Sequence, residues 1–447
     1  MPFLNGQVSF ARLAITSPTG APGPSLIGEA QLDALREHTL VPGEIGVKGE
    51  IETGWCAGAH VYDEDFSTEH SAFAGGSVLH CALRTDTNRV PGEIKRAIKG
   101  QLEMAAKADA DGGFLSRAEK RDLRDMLEAS LHKELASGKH RASAMTPLLW
   151  DAERHTLLFA TSANKATEAL IDLWRRTFDN QLHLTTLSAG RLAYDHLAKA
   201  GRTRDLEDMQ PSPFTPPPPH VGDTHARTPD VPWSMGGPEP HDFLGNEFLI
   251  WLWRHWEEEG ARIDVTLPNS TSRSKTTLEF ALDKHVEMQC AWGVTGKQTL
   301  RGDAEGPSPL RMPEAADALA GGKWPRKLGL LLADDEGSSW RCSLNADRWA
   351  VTGVTLPDPP EDMEDEREKL EWRIEKTRDL DERLLGLFHA FLDVRSSDAW
   401  PTQRQRITDW IRSRRPAANR EADKPAMQIE HAPDPSVSAP FEETQSV

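Results

Sequence analysis

One string in the sequence, residues 291–299, has the residue types that could hold a phosphate group. A phosphate loop needs glycines whose amides surround the phosphate, followed by a lysine and a metal-binding hydroxyl. Gly296 and Lys297 are present, but Ala291 replaces the first glycine and Gln298 stands where the hydroxyl is needed. We therefore interpret the string as a turn between two strands.

The sixteen histidines could contain a metal site, and His60, His70 and His80 recur at ten-residue intervals. Metal ligands must converge in space, and no HxxxH, HExxH or paired Cys/His pattern brings two of these residues together. The four cysteines are far apart and are interpreted as small buried side chains: Cys56, Cys81, Cys290 and Cys342. No GxSxG string is present. We expect no catalytic residue, no metal site and no cofactor.

Basic residues between positions 91 and 150 offer a different chemistry, contact with phosphate. This stretch carries eleven Lys/Arg against nine Asp/Glu, whereas residues 1–90 carry five against eleven and the whole chain has a net charge of −18. Two predicted helices would each present a positive stripe, and the loop that follows would let the backbone approach a phosphate. The candidate contacts are Lys95, Arg96, Lys99, Arg117, Lys120, Arg121, Arg124, Lys133, Lys139 and Arg141.

The same residues have an alternative interpretation. Acidic residues are interleaved with them, so the helices could be ordinary ion-paired surfaces; these residues are Glu119, Asp122, Asp125 and Glu128. A second basic cluster leaves the same choice open, because it could contact phosphate or only decorate the last helix: Arg404, Arg406, Arg412, Arg414 and Arg415.

The elements that would position these residues alternate between strand and helix without a strict βαβ rhythm, which indicates an α+β fold. The spacing predicts a helix over 93–107, a break at 109–113, and a second helix that begins at a capping box, Ser116 to Glu119, and ends near Leu135. Residues 148–161 have the pattern of a hairpin, and residues 164–178 that of an amphipathic helix.

Composition divides the rest of the chain. Residues 210–240 are rich in proline with almost nothing apolar to bury, which predicts an extended linker before a core helix that starts at Phe243. Six strand-like runs follow, then a charged helix over 362–393. The predicted parts are an N-terminal domain (1–200), a linker (201–242), a sheet-rich domain (243–356), charged helices (357–415) and a disordered tail (416–447).

No apolar run is long enough to cross a membrane, and the first residues lack the pattern of a signal peptide. We therefore expect a protein of the cytoplasm, with no membrane contact.

The stretch from Val90 to Leu187 resembles the corresponding part of the bacterial RdgC recombination-associated proteins. The shared features are a proline-led helix over 91–107, Glu119-Lys120 opening a second basic helix, Leu148-Leu149-Trp150-Asp151, and a helix opened by residues 162–168. Weaker similarity continues through residues 280–283, 299–301, 320–323 and 327–330, so that the resemblance covers roughly 1–200 and 243–356.

The resemblance implies an RdgC-like α+β fold with mixed sheets and a ring-shaped homodimer whose positively lined hole encircles duplex DNA without reading its sequence. Such a protein is nucleoid-associated and restrains RecA-type recombinase by occupying its DNA. On this interpretation Arg301 and Lys323 join the basic helices in facing the hole.

Three departures from the family pattern support an alternative function. Residues 302–305 read Gly-Asp-Ala-Glu where the family places lysines, and the chain is longer and more acidic than is usual. The alternative is a regulator with weak or no DNA binding that contacts a protein partner through its acidic surface and its C-terminal helix.

Overall fold

A computed structural model describes residues 3–40, 51–109, 115–218, 221, 228–235, 239–269, 275–294, 296–302 and 308–414. The fold is α+β, as the sequence predicts. The strands are β1 (Val8–Thr16), β2 (Ile51–Cys56), β3 (Ala72–Phe73), β4 (Val78–Asn88), β5 (Arg141–Asp151), β6 (Thr156–Phe159), β7 (His183–Thr186), β8 (Arg262–Thr266), β9 (Lys275–Cys290), β10 (Gln298–Arg301), β11 (Lys323–Ala333), β12 (Ser339–Asn345) and β13 (Ala350–Thr355). The helices are α1 (Glu29–Glu37), α2 (Thr68–Ser71), α3 (Gly92–Asp109), α4 (Arg117–Ala136), α5 (Asn164–Thr177), α6 (Ala189–Lys199), α7 (Thr203–Glu207), α8 (Pro232–Met235), α9 (Phe243–Glu258), α10 (Pro313–Ala320), α11 (Glu366–Arg395) and α12 (Trp400–Ser413).

The described strands form one antiparallel sheet in the order β10-β9-β11-β12-β13-β1-β6-β5-β4-β2. Three strands pair beside this path: β3 with β4, β7 with β1, and β8 with β9. Strand β1 joins the halves of the sheet, because it pairs with β13 on one side and with β6 on the other. One sheet therefore runs through both of the folded parts that the sequence predicts.

Helices cover opposite faces of this sheet at its two ends. In β1, Val8 and Phe10 belong to one buried cluster, whereas Leu13 and Ile15 belong to another. Successive residues of a strand point to opposite faces, so the two clusters lie on opposite sides of the sheet. The first cluster is built with α6, α9, α11 and α12, and the second with α1 and α5.

Several predicted elements are confirmed. The helix after Pro91 and the capping box of α4 both occur, and Ser116 Oγ accepts a hydrogen bond from the Glu119 amide at 3.3 Å. Residues 110–113 of the predicted break lie outside the described residues. The hairpin is β5–β6, and α9 is buried around most of its circumference. One prediction was wrong: the two strands expected at 276–282 and 286–292 are the single strand β9, which continues through an irregular step where Lys284 has φ +63°.

The segment predicted to be a linker packs against the body at its described residues. Leu206, Met209, Phe214 and Val231 are buried, and Phe214 lies against Trp324 with ring centroids 5.5 Å apart. Composition does not reveal this anchoring, because a few apolar side chains among many prolines are enough to fasten a segment whose described helices, α7 and α8, are short.

A buried ion pair fastens the same segment. Glu247 of α9 is 0% exposed and accepts a hydrogen bond from the Ser212 amide at 2.6 Å, and its other oxygen lies 2.7 Å from Arg395 Nε. Arg395 also donates to the carbonyl of Gln210 at 2.8 Å. One carboxylate and one guanidinium therefore join α9, α11 and residues 210–212.

The long charged helix of the sequence is α11, and its second half lies in the core. Leu384, Leu387, Phe388 and Phe391 are buried. The polar residues of its middle turns pair inward: Arg378 Nε lies 2.7 Å from Asp151 Oδ2 and Glu382 Oε2 lies 3.0 Å from Arg154 Nη2. The side chains of this helix are thus largely committed to the fold.

Candidate nucleic-acid interface

The predicted basic helices form an arm on the sheet. Strands β4 and β5 pair along their whole lengths, from Val78 opposite Asp151 to Asn88 opposite Arg141, so α3 and α4 leave and re-enter the sheet at one end of this hairpin. The two helices pack chiefly on each other. We call residues 92–136 the helical arm; α4, with 20 residues, makes it about 30 Å long.

The half of α4 that is far from the sheet carries a basic stripe. Four cations are exposed there and have no ion-pair partner among the described residues: Arg117, Lys120, Arg121 and Arg124. At 3.6 residues per turn they fall within about 100° of the helix circumference. The carboxylates of Glu119, Asp122 and Asp125 leave from the remaining arc, and Glu119 is engaged with the Ser116 amide at 2.6 Å. Acidic and basic residues are thus segregated over residues 117–125, whereas Glu128, one turn after Arg124, lies within the basic arc.

The cations near the base of the arm are less uniform. Arg96 lies 2.9 Å from Glu93 and Lys99 lies 3.6 Å from Glu103, both as exposed pairs within α3. Exposed pairs of this kind cost little to separate, so they leave these cations able to meet a phosphate. Three further candidate cations at this end are exposed: Lys95, Lys133 and Lys139.

Arg141 has a structural role instead. Its Nη2 atom lies 2.9 Å from Glu52 and 3.3 Å from Asp86, and Asp86 is itself bonded to Arg84 at 2.9 Å. The Arg84 and Arg141 guanidiniums help to hold the pKa of Asp86 below its usual range. Arg141 therefore ties β5 to β2 and β4, and its charge is already matched by carboxylates.

Arg301 lies far from the arm, on a second basic surface formed by β9–β12. On these strands Val286, Leu328 and Cys342 are buried on one face, and the side chains of the opposite face are exposed or half-exposed. We call the basic residues of that open side the basic sheet face: His285, Arg301, Lys327 and Arg341. The name also includes exposed Lys284, which stands in the irregular step of β9 and lines the same cavity as His285 and Arg341. Sequence reasoning identified only Arg301 among them, because the strand order that brings these residues to one face cannot be seen in the alternation along each strand.

The register brings these residues together. Arg301 lies opposite His285, and Lys327 lies opposite Glu287 on the neighbouring strand. Burial and then the charges of Lys327 and Arg301 lower the pKa of His285, which indicates a positive field at this point. A shallow cavity of about 200 Å³ opens here, beside Gly329 and Arg341.

Lys323 stands apart from this face. Its Nζ donates to the Gln298 side chain at 2.8 Å, which cross-links β11 to β10 near the other end of the edge strand. The loop that was expected to repel phosphate, at 303–305, lies outside the described residues.

The two basic surfaces are separated within one chain. The path from β10 to β4 in the sheet has eight strand steps, and each step spans about 4.8 Å, which gives about 40 Å along the sheet. The candidate residues of the sequence therefore form two patches, the helical arm and the sheet edge with Arg301.

The last basic cluster is divided between paired and exposed arginines. Arg414 contacts the carboxylate of Glu257, and Arg412 lies 3.7 Å from Asp409. Arg404 and Arg406 are exposed, whereas Arg415 lies outside the described residues.

The other sequence candidates are accounted for by the fold. The string at 291–299 connects β9 to β10, which confirms a turn between strands; residue 295 is outside the described part. His70 Nε2 lies 3.0 Å from Asp63, and His80 is buried. All four cysteines are buried, as expected. Among the described residues no three His, Cys, Asp or Glu side chains converge as metal ligands, and no helix has the length and apolarity to cross a membrane.

No family model matches the chain, and no curated protein matches it significantly.

Proposed function

We propose that this protein binds duplex DNA without reading its sequence and acts as a scaffold on it. The observation that carries the proposal is the basic stripe of the helical arm, where four exposed cations have no carboxylate partner among the described residues. Phosphate contacts position a protein on DNA but carry no base information, so a surface of arginine and lysine favours sequence-independent binding.

The resemblance to RdgC proteins extends the proposal to a ring-shaped homodimer that restrains RecA-type recombinase by occupying its DNA. The two patches of one chain support a dimer, because they are about 40 Å apart along the sheet and each protomer would bring both. A duplex held between copies of these patches would meet cations on more than one side.

The alternative, a protein-interaction regulator that acts through its C-terminal helix, has less support. The second half of α11 is buried, and α12 contributes Ile407 and Trp410 to the same core. A partner could reach only the exposed flanks of these helices.

The test is binding of the full chain to an unrelated duplex, linear or closed into a circle, between about 50 and 200 mM salt. Phosphate-dominated affinity falls with salt with a slope of about −0.9 for each contact in a plot of log K against log salt. Reversing Arg117, Lys120, Arg121 and Arg124 to glutamate should flatten that slope by about 3.6, since four contacts are lost.

A matched control separates this surface from overall charge. Four exposed cations of α5 and α6 are reversed in it: Lys165, Arg175, Arg176 and Lys199. The net charge of this control changes by the same amount, but its salt slope should differ from that of the unaltered protein by no more than about 0.9, the value for one contact. Equal losses in both variants would remove the arm from the proposal, and no binding of the unaltered chain at the lowest salt would overturn DNA binding itself.

A further inference from the structure

The basic sheet face has more positive charge than its own carboxylates neutralise. Lys284, Arg301, Lys327 and Arg341 have no ion-pair partner among the described residues. Two acidic residues on this face of β9 are paired with other cations: Glu287 lies 3.2 Å from Lys297, and Glu279 lies 3.3 Å from Arg262. A third, Asp283, lines the cavity of the face and has no ion-pair partner among the described residues. The face therefore carries four cations without an ion-pair partner against one such carboxylate, Asp283, on a chain whose net charge is −18.

The described chain ends beside this face. Arg414 follows α12 and donates to the carbonyl of Leu310, in the short turn Pro309–Arg311. That turn borders β9 and β10, and Ser308 Oγ donates to the Leu282 carbonyl of β9 at 3.0 Å. Whatever follows Arg414 therefore starts at the sheet edge that carries Arg301.

The sequence that follows has the complementary charge. Residues 421–447 contain six carboxylates and one cation, Lys424, which gives 1 − 6 = −5. Their acidic residues are Glu421, Asp423, Glu430, Asp434, Glu442 and Glu443. The 33 residues after Arg414 (447 − 414) can span at most about 110 Å, since an extended chain advances about 3.4 Å per residue.

We propose that the acidic segment 421–447 binds the basic sheet face of its own chain and competes there with a polyanion. An acidic segment is repelled by most of an acidic protein and is attracted only where cations are unmatched. The sheet face is favoured over the arm because the segment starts at the β9–β10 edge, whereas the arm leaves the sheet eight strand steps away. The consequence for DNA rests on the proposed function, but the contact within the chain does not.

The contact is tested without DNA by amine-reactive cross-linking of the full chain, followed by mass spectrometry of the linked peptides. Lys424 should link to Lys284 and Lys327 in preference to the arm lysines Lys120 and Lys133. The links should weaken when Arg301, Lys327 and Arg341 are changed to glutamine, with Lys284 kept as the acceptor. Links mainly to the arm, or none to the sheet face, would overturn the proposal.

Competition is tested by neutralising the six carboxylates of the segment with Gln and Asn in the full chain. If the segment occupies the face in about nine-tenths of molecules, apparent affinity for that site is reduced about tenfold, and neutralisation should restore it at low salt. The control neutralises six exposed carboxylates elsewhere: Glu258, Asp335, Glu336, Glu361, Asp362 and Glu364.

The outcomes separate the two proposals. A gain in apparent affinity that is confined to the segment variant supports competition. Equal gains in affinity in both variants would show a general charge effect and would overturn the proposed competition. Cross-links to the sheet face in a protein that binds no DNA would keep the intramolecular contact and reject the proposed function. DNA binding with cross-links directed elsewhere would keep the proposed function and reject the intramolecular contact.

Discussion

Replacing Phe214 with alanine tests whether the proline-rich segment is part of the fold. The ring is 1% exposed and its centroid lies 5.5 Å from that of Trp324 and 6.3 Å from that of Trp400. Truncating a buried phenylalanine typically costs about 3–5 kcal/mol, because transfer energy is lost and a cavity remains. We expect Phe214→Ala to reduce the free energy of unfolding by about 4 kcal/mol.

The corresponding change in melting temperature is small for a chain of this size. An unfolding entropy of about 2.1 cal/mol/K per residue over 447 residues gives about 0.9 kcal/mol/K, so the loss lowers Tm by about 4 °C if the chain unfolds as one unit. Differential scanning fluorimetry measures this shift, and a non-specific protease should then cut near residues 209–215 at lower doses. Pro216→Ala, at an exposed neighbouring position, is the control.

An unchanged Tm and an unchanged cleavage pattern for Phe214→Ala would refute the reasoning. The segment would then behave as the extended linker that its composition predicts. A fall in Tm without cleavage near residues 209–215 would place the damage in the Trp324 core, and the segment would remain fastened by the Glu247–Arg395 pair.

Three further predictions concern stability. Burial lowers the pKa of His80 to about 4 and that of His389 to about 3, so below about pH 6.5 the unfolded chain binds more protons than the folded chain. The free energy of unfolding, measured by urea titration, should therefore rise with pH between about 5 and 6.5. Substitution of either histidine by Gln should reduce that slope. Glu247→Gln leaves the buried Arg395 unpaired and should cost about 3–5 kcal/mol, whereas adding Arg395→Met should recover part of this loss in the same urea assay; no recovery would show that the pair is not the cause. Gly329→Ala would place a Cβ 1.9 Å from a carbonyl oxygen of β9 and should lower Tm; an unchanged Tm would show that the two strands can separate at little cost.

The sequence predicts local elements well where the signal lies within a few residues. Ser116 and Glu119 fix the start of α4, and the turn after residue 151 fixes the β5–β6 hairpin. These features depend on neighbouring residues, so a single sequence contains them.

Features that depend on distant residues were missed. Nothing near Lys327 or Arg341 indicates that they share a face with Arg301, because that depends on the order β10-β9-β11-β12. Arg141 was grouped with the basic loop, although Glu52 and Asp86 arrive from other strands to neutralise it. Spacing along the chain cannot distinguish a solvated cation from one whose partner is about 50 or 90 residues away, as here (141 − 86 = 55 and 141 − 52 = 89).

The position of β1 has a consequence for how the chain is made. Val8 pairs with Val354, so residues 8–11 of β1 wait for one of the last strands before their second edge is covered, whereas β7 covers the same edge over residues 13–16. An uncovered edge between buried apolar strands is a template for pairing with another chain. The N-terminal half can complete its own hairpins early, but during synthesis the edge of β1 at residues 8–11 stays uncovered. Slow translation between these points would lengthen that exposure, and aggregation during expression should be sensitive to it.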